Sequence, residues 1–99
     1  MLIHTVFFWL KPELTAAQRA EFRRGVESLR AIKHAAKVYV GAPAATADRP
    51  VIDKTFAVAL TVICQDVAAH DAYQADPVHQ AFATRFNSYW ARLQIYDAE

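Results

Sequence analysis

Cysteine and glycine are nearly absent from this chain: Cys64 stands alone, and Gly25 and Gly41 are the only glycines among 99 residues. A single thiol forms no intramolecular disulfide, and Cys64 lies in an apolar run where a small buried hydrophobe is the usual role. A reducing, cytoplasmic setting is the expectation. Two isolated glycines exclude the glycine-rich loops that cradle phosphates. Charge of one sign is also missing, since 11 Lys and Arg face 10 Asp and Glu, which leaves no footprint for nucleic acid or an anionic membrane. The apolar opening of the chain is broken by His4 and Thr5 and meets Lys11-Pro12. It is too short to span a bilayer and has no basic leader, so neither a membrane span nor a secretory signal is expected. The histidines lack close helical or hairpin pairing and Cys64 has no C-x-x-C partner, so no metal and no cofactor are expected.

What is present is a hydrophobic content of 55% beside 21% charged residues, the balance of one folded domain over residues 1–99. A chain this short buries only about two-thirds of its unfolded surface, so it gains by covering more against a partner.

Leu2 to Leu10 is rich in β-branched and aromatic residues and stops at Pro12, which predicts a first strand. Its alternation sets Leu2, His4, Val6, Phe8 and Leu10 on one face and Ile3, Thr5, Phe7 and Trp9 on the other. Both faces are largely apolar and need cover. Thr15 with Gln18 has the form of a capping box, predicting a helix from Ala16 that ends near Ile32 to Ala35. Phe22, Val26 and Leu29 share one face of it, while Arg19, Arg23, Glu27 and Arg30 fall mostly on the other. Lys37 to Val40 is a short strand, and Gly41 to Asp53 is a long loop. Thr55 to Cys64 is the strongest strand in the sequence, and alternation places Phe56, Val58, Leu60 and Val62 on one face. Asp66 caps a short helix from Val67 to about Ala75, and Asp76-Pro77 starts another. In that second piece Val78, Phe82, Phe86, Tyr89 and Trp90 form an aromatic stripe suited to core packing. A last strand spans about Leu93 to Asp97.

The order β-α-β-β-α-β is the ferredoxin-like α+β pattern, a four-stranded antiparallel sheet with helices on one face. Nothing in one chain covers the other face. A second copy can, giving a homodimer in the form of an α+β barrel.

The opening Met1-Leu2-Ile3-His4 and the run Tyr73-Gln74-Ala75-Asp76-Pro77-Val78-His79-Gln80-Ala81-Phe82 resemble the stress-responsive dimeric α/β-barrel (Dabb) family over nearly the whole chain. Glu13-Leu14-Thr15 with Gln18, and Ser88 through Asp97, most resemble the olivetolic acid cyclase-like members. That resemblance implies Tyr73 and His79 as the catalytic pair. It also implies a pocket lined by His4, Val6, Phe8, Phe56, Val58 and Leu60, with Phe22 and Val26 from the first helix. Asp76 stands where the family often has histidine, and Phe56 and Val26 stand where the cyclase has histidine and tyrosine. A more apolar pocket results, with a small hydrophobic ligand as its partner.

His79 falls third in a helix whose positive end disfavours imidazolium, so a neutral ring could take a proton while Tyr73 donates to a carbonyl oxygen. Such a pair supports a cofactor-independent lyase, cyclase or isomerase acting on an oxo or polyketide-like compound. The alternative is a non-catalytic stress-responsive protein that binds an apolar ligand or stabilises partners. His34 and His70 are expected at the surface, without a role.

Overall fold

The structure is a computed structural model that describes residues 1–99. The elements run β1 (Leu2–Leu10), α1 (Ala16–Ser28), a 3-10 turn (Leu29–Ala31), β2 (Lys37–Gly41), β3 (Val58–Cys64), α2 (Val67–Ala75), α3 (Pro77–Phe86) and β4 (Trp90–Ala98). The four strands form one antiparallel sheet in the order β2-β3-β1-β4. This is the ferredoxin-like α+β fold.

The helix starts arise from side chains that satisfy free backbone amides. Thr15 Oγ1 accepts from the Gln18 amide at 3.1 Å while Gln18 Oε1 accepts from the Thr15 amide at 2.8 Å, which completes the capping box. Asp66 accepts from Ala69 N at 2.8 Å and Asp76 from Val78 N at 2.8 Å. Asp76 also donates its own N–H to Tyr73 O at 3.2 Å, so this one residue closes α2 and opens α3.

The inner face of the sheet carries Leu2, His4, Val6 and Phe8 from β1 and Val58, Leu60, Val62 and Cys64 from β3, all buried. Phe22, Val26, Leu29, Ile32, Tyr73, Phe82 and Phe86 from the helical layer pack onto them. The outer face carries Ile3, Thr5, Phe7 and Trp9, and it leaves Tyr39 and Tyr96 largely exposed.

Three expectations need correction. β3 starts at Val58 rather than Thr55, because the chain bends at Ala57, whose N–H donates to Phe8 O at 2.7 Å. The bend breaks the alternation, and Phe56 turns to the outer face, its ring 5.0 Å from that of Phe7. Tyr89 and Trp90 are not helical: α3 ends at Phe86, a turn comes next, and Trp90 opens a β4 longer than expected. The Lys11 amide holds Tyr89 O at 3.0 Å and stitches that turn to the end of β1. Trp90 still joins the aromatic packing, with its ring 5.5 Å from Phe8. Finally, His70 is not a surface residue, for its side chain is only 17% exposed beneath α2.

Candidate functional site

β4 is an edge strand, and the helices cover its inner face incompletely: Leu93 and Ile95 remain 39% and 41% exposed. A cavity of about 160 Å³ opens there between the sheet and α3. Its wall takes His4, Val6 and Phe8 from β1, Leu60 from β3 and His79 from α3, all anticipated from the sequence. Leu29, Gln74, Phe82, Ala83, Trp90, Leu93 and Ile95 complete it and were not anticipated. Most of the wall is apolar, and the polar side chains on it are His4, Gln74 and His79.

The remaining sequence-derived positions fall elsewhere. Val58, Phe22 and Val26 lie in the core on the same side of the sheet but not on the cavity wall. Phe22 packs behind Phe8, with ring centroids 5.1 Å apart. Phe56 belongs to a different hollow of about 220 Å³ on the outer face, shared with Phe7, Trp9, Asp53, Arg92, Gln94 and Tyr96. Tyr73 is completely buried; its ring meets that of His79 edge to face at 5.0 Å, but it forms no part of the wall.

His79 is the third residue of α3, and its pKa is lowered from the usual 6.5. Burial is the largest cause and His4 the next, while Asp76 opposes both. Desolvation, more than the helix end, therefore keeps the ring neutral. Burial also raises the Tyr73 phenol, with Cys64 adding to the effect, so the hydroxyl remains a donor. That hydroxyl is buried without any hydrogen-bond partner.

A second polar cluster adjoins the cavity. His4 Nδ1 lies 2.5 Å from Asp97 Oδ1 on β4, across the β1/β4 register that pairs the two residues. The other edge of the His4 ring approaches the Gln74 amide at 3.4 Å. His70 sits 4.9 Å from His4, ring to ring. Its Nδ1 is 3.1 Å from Asp71, while its Nε2 is buried and unpartnered. Sequence spacing gave no sign of this grouping, because its residues come from three separate elements, His4 from β1, His70, Asp71 and Gln74 from α2, and Asp97 from β4. Only the pairing register could have linked His4 to Asp97.

None of the curated proteins matches the sequence. Among solved structures, a hydroxynitrile lyase from Passiflora edulis superimposes with a TM-score of 0.80 at 20% identity, covering 98% of this chain and 90% of that one. A Dabb family protein with a ferredoxin-like fold from Mesorhizobium loti gives 0.78 at 23% identity, covering 99% and 94%. A dimeric ferredoxin-like protein of unknown function from Thermobifida fusca gives 0.78 at 18%, covering 98% and 88%. At these identities the likeness is one of fold. The family description "Stress responsive A/B Barrel Domain" matches residues 2–99, and the chain therefore belongs to the Dabb family.

Proposed function

We propose that the cavity binds a small, largely apolar carbonyl compound and that His79 and Tyr73 carry out cofactor-independent proton transfer on it. The observation that carries this reading is the pairing of a neutral His79 on the wall with a Tyr73 hydroxyl that is buried and has no partner. A buried polar atom left without a bond favours any acceptor that comes within reach. In this reading the His79 ring nitrogen takes a proton from the carbon next to the carbonyl, and Tyr73, which packs behind His79 and off the wall, must come within reach of the oxygen to donate a hydrogen bond as negative charge develops on it. Enolisation and aldol-type cyclisation both begin in this way. A cavity of about 160 Å³ is comparable to the roughly 150 Å³ engineered cavity that accepts benzene, so the ligand is about one ring in size. The sequence resemblance to olivetolic acid cyclase-like members motivates this choice of chemistry, and a hydroxynitrile lyase from Passiflora edulis shares the fold.

The position of Tyr73 behind the wall favours a second reading, a non-catalytic protein that holds an apolar ligand. A panel of small β-keto compounds, assayed with His79→Ala and Tyr73→Phe, separates the two. General acid–base groups contribute about 10²-fold to 10⁴-fold each, and the catalytic reading requires losses in that range. Turnover equal in both variants and in the unmodified chain leaves only binding.

We also propose that two copies pair through the outer faces of their sheets; structural neighbours of the same fold are described as dimeric. Ile3, Phe7, Trp9 and Ile63 give that face its apolar character. Sedimentation should show a dimer at micromolar protein, and Phe7→Asp should split it by placing a charge in a desolvated contact. A stable monomer before substitution would end this proposal.

A further inference from the structure

We propose that His4, His70 and Asp97 bind a transition-metal dication of the zinc type at the junction of β1, α2 and β4. Each of the three offers one ligand atom, and these atoms all lie within 4.8 Å of one another. Ligands sharing one tetrahedral zinc sit about 3.3 Å apart, given metal–nitrogen and metal–oxygen bonds of about 2.0 to 2.2 Å. The His4–Asp97 contact must open from 2.5 Å, and His70 must close towards both. Asp97 can accommodate this because its side chain is 45% exposed on an edge strand. His70 is the limb that argues for an ion rather than a simple His–Asp pair. Its Nδ1 is occupied by Asp71 at 3.1 Å, and this leaves Nε2 as a buried lone pair with nothing to accept. A lone pair without a donor is unfavourable in a folded protein and is satisfied at once by a cation.

The neighbours are arranged as outer partners of a metal centre. Ligating histidines usually donate their second ring N–H to a carboxylate, carbonyl or water, which fixes the tautomer. Asp71 accepts in this way from His70. For His4 the neighbour is Gln74, whose side-chain amide nitrogen lies 3.4 Å from Nε2; when the ion takes Nδ1 and the ring proton moves to Nε2, that amide must turn over so that its carbonyl accepts the proton. Two imidazoles and one carboxylate select zinc and its transition-metal neighbours over magnesium or calcium, which demand oxygen. The three residues leave a fourth position for water. Of the three ligands only His4 stands on the cavity wall, with its neighbour Gln74 beside it, and Zn²⁺ binding is read without any turnover assay.

The test uses the full chain, stripped of metal and titrated calorimetrically with Zn²⁺ and, separately, with Mg²⁺. One Zn²⁺ per chain with no Mg²⁺ uptake is the expected result. Asp71→Asn should weaken binding by roughly 10- to 100-fold, the usual effect of removing an outer partner, and His70→Ala by more. Co²⁺ in place of Zn²⁺ should give the intense visible bands of a tetrahedral centre, and His70→Ala should abolish them. Absence of saturable Zn²⁺ binding overturns the proposal. So does an affinity unchanged in His70→Ala, which would put the ion elsewhere on the chain.

Discussion

Replacing Tyr73 by phenylalanine removes one buried oxygen and leaves the ring that packs against His79. The hydroxyl has no hydrogen-bond partner, so the folded state bears its full desolvation, while the unfolded chain solvates it. Burying an uncompensated hydroxyl costs about 1 to 3 kcal/mol, and Tyr73→Phe should be more stable by that amount. In a domain of this size each kcal/mol raises the melting temperature by about 4 to 8 °C. The measurement is thermal and urea unfolding at one fixed protein concentration, because association shifts apparent stability. Turnover should move the opposite way, falling about 10²-fold or more if the hydroxyl polarises a carbonyl. Stability gained and activity lost from one oxygen is the signature of a group held ready for a ligand. A variant less stable than its parent by about 1 kcal/mol or more would show that the hydroxyl is already bonded, and the reasoning would fail.

Gly25→Ala in α1 would place a Cβ 2.3 Å from Phe86 Cε2 and 2.9 Å from its Cζ. The gain in helix propensity of about 0.5 to 1 kcal/mol is outweighed by overpacking of about 1 to 3 kcal/mol, so urea unfolding should show a net loss that Phe86→Leu relieves. Asp76→Ala removes the cap on α3 and should cost about 1 kcal/mol, whereas an unchanged urea midpoint would argue that the cap is idle. His79 has a folded pKa below 6.5, so the unfolded chain takes up its proton first as pH falls. Its contribution to unfolding free energy is absent above that pH, and stability is lost progressively below it. Urea midpoints from about pH 8 to pH 5 should therefore fall less steeply in His79→Gln, and identical slopes would contradict the assigned burial.

The starts of all three helices were legible in the sequence, because Thr15-Gln18, Asp66 and Asp76-Pro77 act on amides within three residues of themselves. Strand faces were legible where the ladder is regular, as in His4, Val6, Phe8 and Leu60, which do meet at one cavity. Phe56 escaped because parity holds only inside a paired strand, and the bend at Ala57 lies just outside β3. Tyr89 and Trp90 escaped for a related reason: an aromatic stripe can continue from a helix into a turn and strand without breaking the core it serves. His70 lies in a nine-residue helix whose neighbours Val67, Ala68, Ala69 and Ala72 mark no clear polar side. Its burial is set by what the sheet presents beneath it, and its closeness to His4 and Asp97 exists only once β1, α2 and β4 are assembled.

The junction at Asp76 bears on how this chain can vary in length. Because one residue terminates α2 and begins α3, no spare link separates the segment bearing Tyr73 from the segment bearing His79. A one-residue insertion inside either helix between them would rotate the rest of that helix by about 100° and advance it by about 1.5 Å. An insertion at the junction itself would part the carboxylate from the amide it holds. Natural variants of this domain should therefore tolerate added or deleted residues in the long 42–57 connection, while the six-step interval from Tyr73 to His79 stays constant. Libraries that scan single-residue insertions along the gene would expose that contrast as a sharp dip in recovered folded protein across 73–79.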